Sequence, residues 1–112
     1  MISVDIEFDK GRIVKIESVG HAGFSDYGSD IVCSAVSVYL INTANSLTDL
    51  VGLKNLDLDF SSGKALIKIN YEDIKDETEL IQTDILMKSL LLALESIRTQ
   101  YRGNIEINYR EV

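Results

Sequence analysis

The sequence predicts an α+β fold in which five strands and two helices follow one another in the order ββαββαβ. Short segments alternate apolar and polar residues, two longer segments carry apolar residues at helical spacing, and glycines stand at several joins. The simplest architecture is an antiparallel or mixed five-stranded sheet with both helices packed against it. A length of 112 residues suits a single domain over 1–112, and a hydrophobic content of 46% is enough for its core.

The first twenty residues predict a β-hairpin followed by a long loop. Apolar and polar residues alternate from Ile2 to Phe8, Asp9-Lys10-Gly11 supplies a tight turn, and Arg12 to Val19 forms the returning strand. The stretch from Gly20 to Ser29 contains three glycines and several small polar residues. It is the longest irregular stretch predicted, and such loops in compact domains are often functional or disordered.

The first helix is predicted from Asp30 to between Leu50 and Gly52. Ser29 or Asp30 is expected to cap its start, because a side-chain oxygen can accept hydrogen bonds from the free N–H groups of the first turn. Glycine is the usual residue at a helix end. The apolar stripe consists of Val32, Val36, Tyr39 or Leu40, Thr43 and Leu47.

A second hairpin follows, with one face of each strand expected to be wet. Alternation from Leu56 to Phe60 predicts one strand, Ser61-Ser62-Gly63 predicts the turn, and alternation from Ala65 to Tyr71 predicts the partner strand. Asp59 and Lys64 carry opposite charges on neighbouring strands and are candidates for an ion pair.

The last third of the chain predicts a long helix from Glu77 to about Tyr101 and a final strand over 105–109. Acidic residues at the helix start and arginines at its end suit the helix dipole, and Gly103 ends it. The main stripe consists of Met87, Leu90, Leu91, Leu94, Ile97 and Tyr101. Because Ile85, Leu86 and Leu92 widen it beyond one core face, we expect part of this helix to form a homodimer interface.

Composition narrows the functional classes. A formal charge of −7 makes nucleic acid a poor partner and suits a basic protein or peptide, although such a charge mainly favours solubility. The single Cys cannot form an internal disulfide, which fits a reducing compartment. One Cys and one His are a poor basis for a zinc site, so no metal or cofactor is expected. No apolar run near 20 residues and no secretory signal is recognised, so no membrane association is expected.

Cys33 and His21 are the candidate catalytic pair. Cys33 falls three residues into the predicted first helix, where the dipole and the free N–H groups favour a thiolate over a thiol. The same N–H groups could bind an oxyanion. His21 lies at a strand end, and the glycine-rich loop between the two residues could bring its imidazole within hydrogen-bond reach of the sulfur as general base.

Other residues could support this pair. Asp30 or Asp26 could orient the imidazole, and Ser37 follows Cys33 by one turn and could hydrogen-bond the sulfur or a substrate amide. The alternatives remain open at this point, because a lone Cys is most often a small buried hydrophobe and a lone His an ordinary surface residue. Walker, dinucleotide-binding, Cys-x-x-Cys, papain and caspase patterns are absent.

The segment from Gly20-His21-Ala22-Gly23 through Gly28-Ser29-Asp30-Ile31-Val32-Cys33-Ser34-Ala35-Val36-Ser37 resembles the ribosomal-processing cysteine protease family (Prp). Length, element order and acidic charge also fit, so the resemblance covers most of the chain. It implies a cytoplasmic, homodimeric bacterial enzyme that removes a short N-terminal extension from large-subunit ribosomal protein twenty-seven, cutting after an aromatic-rich peptide. His21 and Cys33 match the catalytic pair of that family, and Asp30 and Ser37 match its other polar motif positions.

The implied reaction is acyl transfer from the peptide to Cys33 and then to water. We expect the Gly23–Ser29 loop to be a lid that becomes ordered on peptide binding, with Phe24 or Tyr27 contacting apolar substrate side chains and Gly23 and Gly28 within the lid. Two alternatives remain. The chain could be a non-catalytic ribosome-assembly or peptide-binding module with a structural Cys, or, less favoured because a second Cys is absent, a thiol redox sensor.

Overall fold

The computed structural model describes residues 1–20 and 27–112, with residues 27–30 described by their backbone. The element order ββαββαβ is confirmed. The elements are β1 (Ile2–Asp9), β2 (Arg12–Val19), α1 (Tyr27–Asn45), β3 (Leu56–Ser61), β4 (Lys64–Ile69), α2 (Glu77–Gln100) and β5 (Ile105–Glu111). One π-helical turn, Ser46–Val51, extends α1, and a short 3-10 turn, Tyr71–Asp73, follows β4.

The five strands form one mixed sheet in the order β3-β4-β2-β1-β5. Every neighbouring pair is antiparallel except β1 and β5, which run parallel with Ile2 opposite Ile105 and Val4 opposite Ile107. The two helices pack against one face of this sheet, where the alternate residues Ile2, Val4 and Ile6 of β1 are buried. The result is a two-layer α+β domain whose core lies between the sheet and the helix pair.

A β-bulge in the first hairpin changes which residues of β2 face the helices. Ile16 pairs with Ile6, but Ile13 pairs with Phe8, so Val14 is the extra residue. The buried positions of β2 are therefore Ile13, Ile16 and Ser18, which departs from strict alternation.

Helix α1 begins at Tyr27, three residues before the predicted start. The expectation that Ser29 or Asp30 caps the helix is wrong, because both residues lie within its first turn. Packing of an apolar face onto a sheet stabilises a helix more than its local propensities do, and an acidic residue is also favoured inside the first turn. The predicted end is confirmed: the π-helical turn stops at Gly52, which has a φ of 88°.

The segment Ile31–Val51 is long enough and apolar enough, with a mean hydropathy of 1.3 over 21 residues, to meet the criteria for a membrane span. The expectation that no such run exists is therefore wrong. Its apolar stripe nevertheless lies against the sheet, where Val32, Val36, Leu40 and Leu47 are buried. Core helices of globular domains meet the same criteria.

The apolar stripe of α1 was expected to include either Tyr39 or Leu40. Leu40 is the residue buried against the sheet, and Tyr39 is exposed.

Helix α2 starts where its sequence predicts. The side chain of Asp76 accepts a hydrogen bond from the Glu79 N–H at 3.0 Å and so caps the helix. Its buried side chains are Thr83, Met87, Leu90, Leu94 and Ile97.

Candidate active site

A cleft of about 90 Å³ lies at the end of the sheet where β2 stops and the turn between β3 and β4 begins. Helix α1 contributes Cys33 and Ser37 to its wall. The opposite wall consists of backbone and side chains from the strand ends, namely Ile2, Ser18, Gly20, Ser61, Gly63, Lys64 and Ala65. Two of the residues singled out in the sequence therefore share one cavity.

Cys33 is half-buried, with one side packed on the core and another facing the cleft. It is the seventh residue of α1, which places it in the second turn. By α-helical geometry its own N–H points to the carbonyl of Ser29, so the expectation of a first-turn position for Cys33 is wrong. The free amides of the helix belong to residues 27–30, and helical side chains lean toward the N-terminus, so Cys33 leans toward them.

Gly20 fixes the path of the chain immediately before His21. Its φ is 107°, and a Cβ atom at this position would come within 2.9 Å of the Met1 carbonyl oxygen, so only glycine fits. Its N–H donates a hydrogen bond to the Gly63 carbonyl oxygen at 2.9 Å. The residue that precedes His21 is thus held against the turn that forms one wall of the Cys33 cleft.

The other predicted site residues fall in two groups. His21, Gly23, Phe24 and Asp26 lie outside the described residues. The backbone of Tyr27, Gly28, Ser29 and Asp30 is helical, so the expectation that the irregular loop extends to Ser29 is wrong. The lid over Gly23–Ser29 stays a prediction.

Lys64 is a member of the cleft that the sequence analysis did not single out for the site. Its ammonium lies 3.4 Å from Asp59 Oδ2, which confirms the expected ion pair, and 3.4 Å from Glu17 Oε2. Hydrogen bonds first to Asp59 and then to Glu17 raise the pKa of Lys64 above its ordinary value. Glu17 and Asp59 both lie opposite Leu66, on the face of the sheet away from the helices, so the Lys64 ammonium holds its positive charge on that face while the rest of the residue lines the cleft. Only its predicted pairing with Asp59 could have drawn attention to it.

No cluster of three His, Cys, Asp or Glu side chains suited to a metal occurs among the residues that the structure describes. The chemistry available at the described part of the cleft is that of a partly exposed thiol with the Ser37 hydroxyl in the same wall. Such a set suits nucleophilic attack, with the base supplied from elsewhere.

Comparison with known proteins identifies the family of this chain. The sequence profile described as cysteine protease Prp matches residues 1–106. Ribosomal processing cysteine protease Prp of Staphylococcus aureus is 31% identical over 112 residues, which is 98% of this chain and 100% of the relative.

Two solved structures of the essential ribosomal processing protease Prp from S. aureus have the same fold. The complex with a substrate peptide has a TM-score of 0.81 at 26% identity, covering 97% of this chain and 99% of that one. The complex with a covalently linked product peptide has a TM-score of 0.78 at 28% identity, with the same coverage. These findings favour an enzyme over a non-catalytic module, and the chain belongs to the cysteine protease Prp family.

Proposed function

We propose that this chain is a cytoplasmic, homodimeric endopeptidase that removes a short N-terminal extension from bacterial large-subunit ribosomal protein twenty-seven during ribosome assembly. The observation that carries the proposal is the shared cleft: Cys33 lines it from the helix, and Gly20, which precedes His21, lines it from the sheet. The relatives named ribosomal processing proteases support the substrate class. The charge of −7 suits a basic ribosomal protein.

In the proposed mechanism His21 takes the proton from the Cys33 thiol, and the thiolate attacks the scissile carbonyl carbon. The oxygen of the tetrahedral intermediate carries the negative charge and is bound by free N–H groups of the first turn of α1, toward which Cys33 leans. The C–N bond then breaks, and the imidazolium of His21 gives its proton to the departing amine. Water, deprotonated by His21, attacks the thioester and releases the acid and the free thiol.

The proposed dimer would form on the exposed apolar side chains of α2. Ile81, Ile85 and Leu92 are exposed in the isolated chain, and Leu50 and Ile85 line a shallow apolar depression of about 280 Å³. Exposed apolar surface of this kind favours association. Light scattering should show a monomer for Ile85→Glu, and the proposal of this surface fails if that variant stays dimeric.

Cleavage of the extended precursor tests the function. We expect Cys33→Ala and His21→Ala each to lower kcat/KM by at least about 10³-fold, because each removes a group that acts in bond breaking. Ser34→Ala, an exposed neighbour on α1, should leave cleavage within about twofold. Mass spectrometry of the products gives the cut site. Retained cleavage in Cys33→Ala would refute the nucleophile, and an uncut precursor would refute the substrate.

A further inference from the structure

The hydroxyl of Ser18 is a buried polar group that the surrounding protein does not satisfy. Among the residues that the structure describes, three polar side chains are buried: Ser18, Thr43 and Thr83. The Thr43 hydroxyl donates a hydrogen bond to the Tyr39 carbonyl oxygen at 2.9 Å, and the Thr83 oxygen lies sealed in the core. None of the hydrogen bonds of the described residues involves the Ser18 hydroxyl, although only 6% of this residue is exposed. Ser18 lines the Cys33 cleft, so a partner for its hydroxyl has to come from there.

The sheet register points Ser18 toward the helix layer, beneath the wall that α1 contributes to the cleft. Ser18 pairs with the buried Val4 of β1 on one side and with Ala65 of β4 on the other. Directly opposite residues of antiparallel strands share a face, so Ser18 lies in the layer that Ile13 and Ile16 fill with apolar side chains. Because Ala65 is small, the space over the hydroxyl stays open to the cavity.

The cleft has the size and the polar groups that a bound water molecule needs. One water needs about 10–15 Å³ of such a cavity and about two to four hydrogen-bonding partners, and this cleft provides about 90 Å³. Ser37 and Ser61 bring further hydroxyl groups to its wall. A buried hydroxyl without a partner is unfavourable, so a water molecule hydrogen-bonded to Ser18 is the expected occupant. Cys33 lines the same small cavity, so this water lies close to the sulfur.

We propose that Ser18 is a positioning residue for the second half of the reaction and holds the water that hydrolyses the acyl-Cys33 thioester. The inference rests on the proposed peptidase function and deepens it. The water donates one hydrogen bond to the Ser18 oxygen, which leaves a lone pair free for the carbonyl carbon and the second proton free for the general base. A C–O bond forms, the C–S bond breaks, and the thiolate takes the proton from the base to restore the thiol.

Acetylation of Cys33 isolates this step from substrate recognition. p-Nitrophenyl acetate transfers its acetyl group to the thiol and releases p-nitrophenolate, and peptide mapping locates the adduct. After the reagent is removed, intact-mass spectrometry follows the loss of the acetyl group by hydrolysis. The variants are Ser18→Ala, the conservative Ser18→Thr, and Thr43→Val as the matched control. Thr43 is also 6% exposed, but its hydroxyl already has a partner within α1.

We expect Ser18→Ala to lose the acetyl group about tenfold or more slowly than the wild type, because its water is no longer held in position. Ser18→Thr keeps the hydroxyl and should stay within about threefold of the wild-type rate, and Thr43→Val should stay within about twofold. Acetylation itself should proceed within about twofold of the wild-type rate in all three variants, which shows an intact fold and nucleophile.

Cleavage of the precursor peptide separates this inference from the proposed function. In Ser18→Ala kcat/KM should stay within about twofold of the wild type, because kcat/KM reports the steps up to acylation. If the wild type does not cut the precursor peptide but the acetyl group is lost slowly from Ser18→Ala alone, the substrate proposal fails and the role of Ser18 stands. Equal rates of acetyl loss in the wild type and Ser18→Ala, equal slowing in Thr43→Val, or wild-type loss no faster than in the urea-unfolded chain overturns that role.

Discussion

The two helices lie side by side on the sheet and contribute to one core, yet of the two only α1 lines the cleft of the candidate active site. Each has fully buried side chains, such as Leu40 in α1 and Leu94 in α2. The N-terminal turns of α1 reach the end of the sheet, where Cys33 meets the cleft. The start of α2 is fixed by its own cap at Asp76. Both helices therefore stabilise the fold, and α1 also carries the proposed nucleophile to the cleft because of where it lies on the sheet.

The largest expected effect is a loss of stability, and it tests the core to which both helices contribute. Leu40→Ala and Leu94→Ala should each lower the free energy of unfolding by about 2–5 kcal/mol, because each leaves a cavity in a fully buried layer. Urea unfolding followed by circular dichroism measures both. Tyr39→Ala, exposed beside Leu40, is the control and should cost under about 1 kcal/mol. A small cost at Leu40 alone would show that α1 contributes little to the core.

An effect of intermediate size, on both stability and cleavage, is expected at Gly20. Gly20→Ala should cost about 1–3 kcal/mol, since it combines a positive φ with a contact of 2.9 Å to the Met1 carbonyl oxygen. It should also lower kcat/KM, because the backbone next to His21 must move. Gly11→Ala is the matched control: its φ is 80°, but nothing lies within 4 Å of the added Cβ. Equal losses of activity in the two variants would contradict a positional role for Gly20.

The smallest effect is expected at the start of α2. Asp76→Ala should lower the free energy of unfolding by about 1 kcal/mol, because the Glu79 N–H loses its acceptor. Cleavage should be unchanged at temperatures where the protein is folded. Asp73→Ala, an exposed acidic residue three positions earlier, should leave the thermal midpoint within one degree or so. A loss of activity in Asp76→Ala would show that the two helices are coupled.

The sequence predicts α2 and the strands well, because the residues that determine their ends and faces lie within or next to these elements. Asp76, the acidic first turn and Gly103 stand next to the ends that they define. The parallel pairing of β1 with β5 depends on partners far away in the chain, and the bulge at Val14 interrupts the alternation within the first hairpin, so alternation alone reveals neither.

Local sequence patterns also predict only part of the candidate active site. Cys33 and Ser37 could be paired from the sequence because four residues make one helical turn. The early start of α1 at Tyr27 could not be predicted, since tertiary packing outweighs the weak helix propensity of Gly28. Lys64, Ser61 and Ala65 reach the cleft through the turn between β3 and β4, and only the sheet register places them there.

The parallel pairing of β1 with β5 has a consequence for synthesis on the ribosome. Strand β1 lies between β2 and β5, and the Ile2 N–H donates to the Asn104 carbonyl oxygen at 3.0 Å. Contacts separated by about a hundred residues form late, because a long loop must close first. The nascent chain therefore cannot complete its sheet until residues 105–111 have left the exit tunnel.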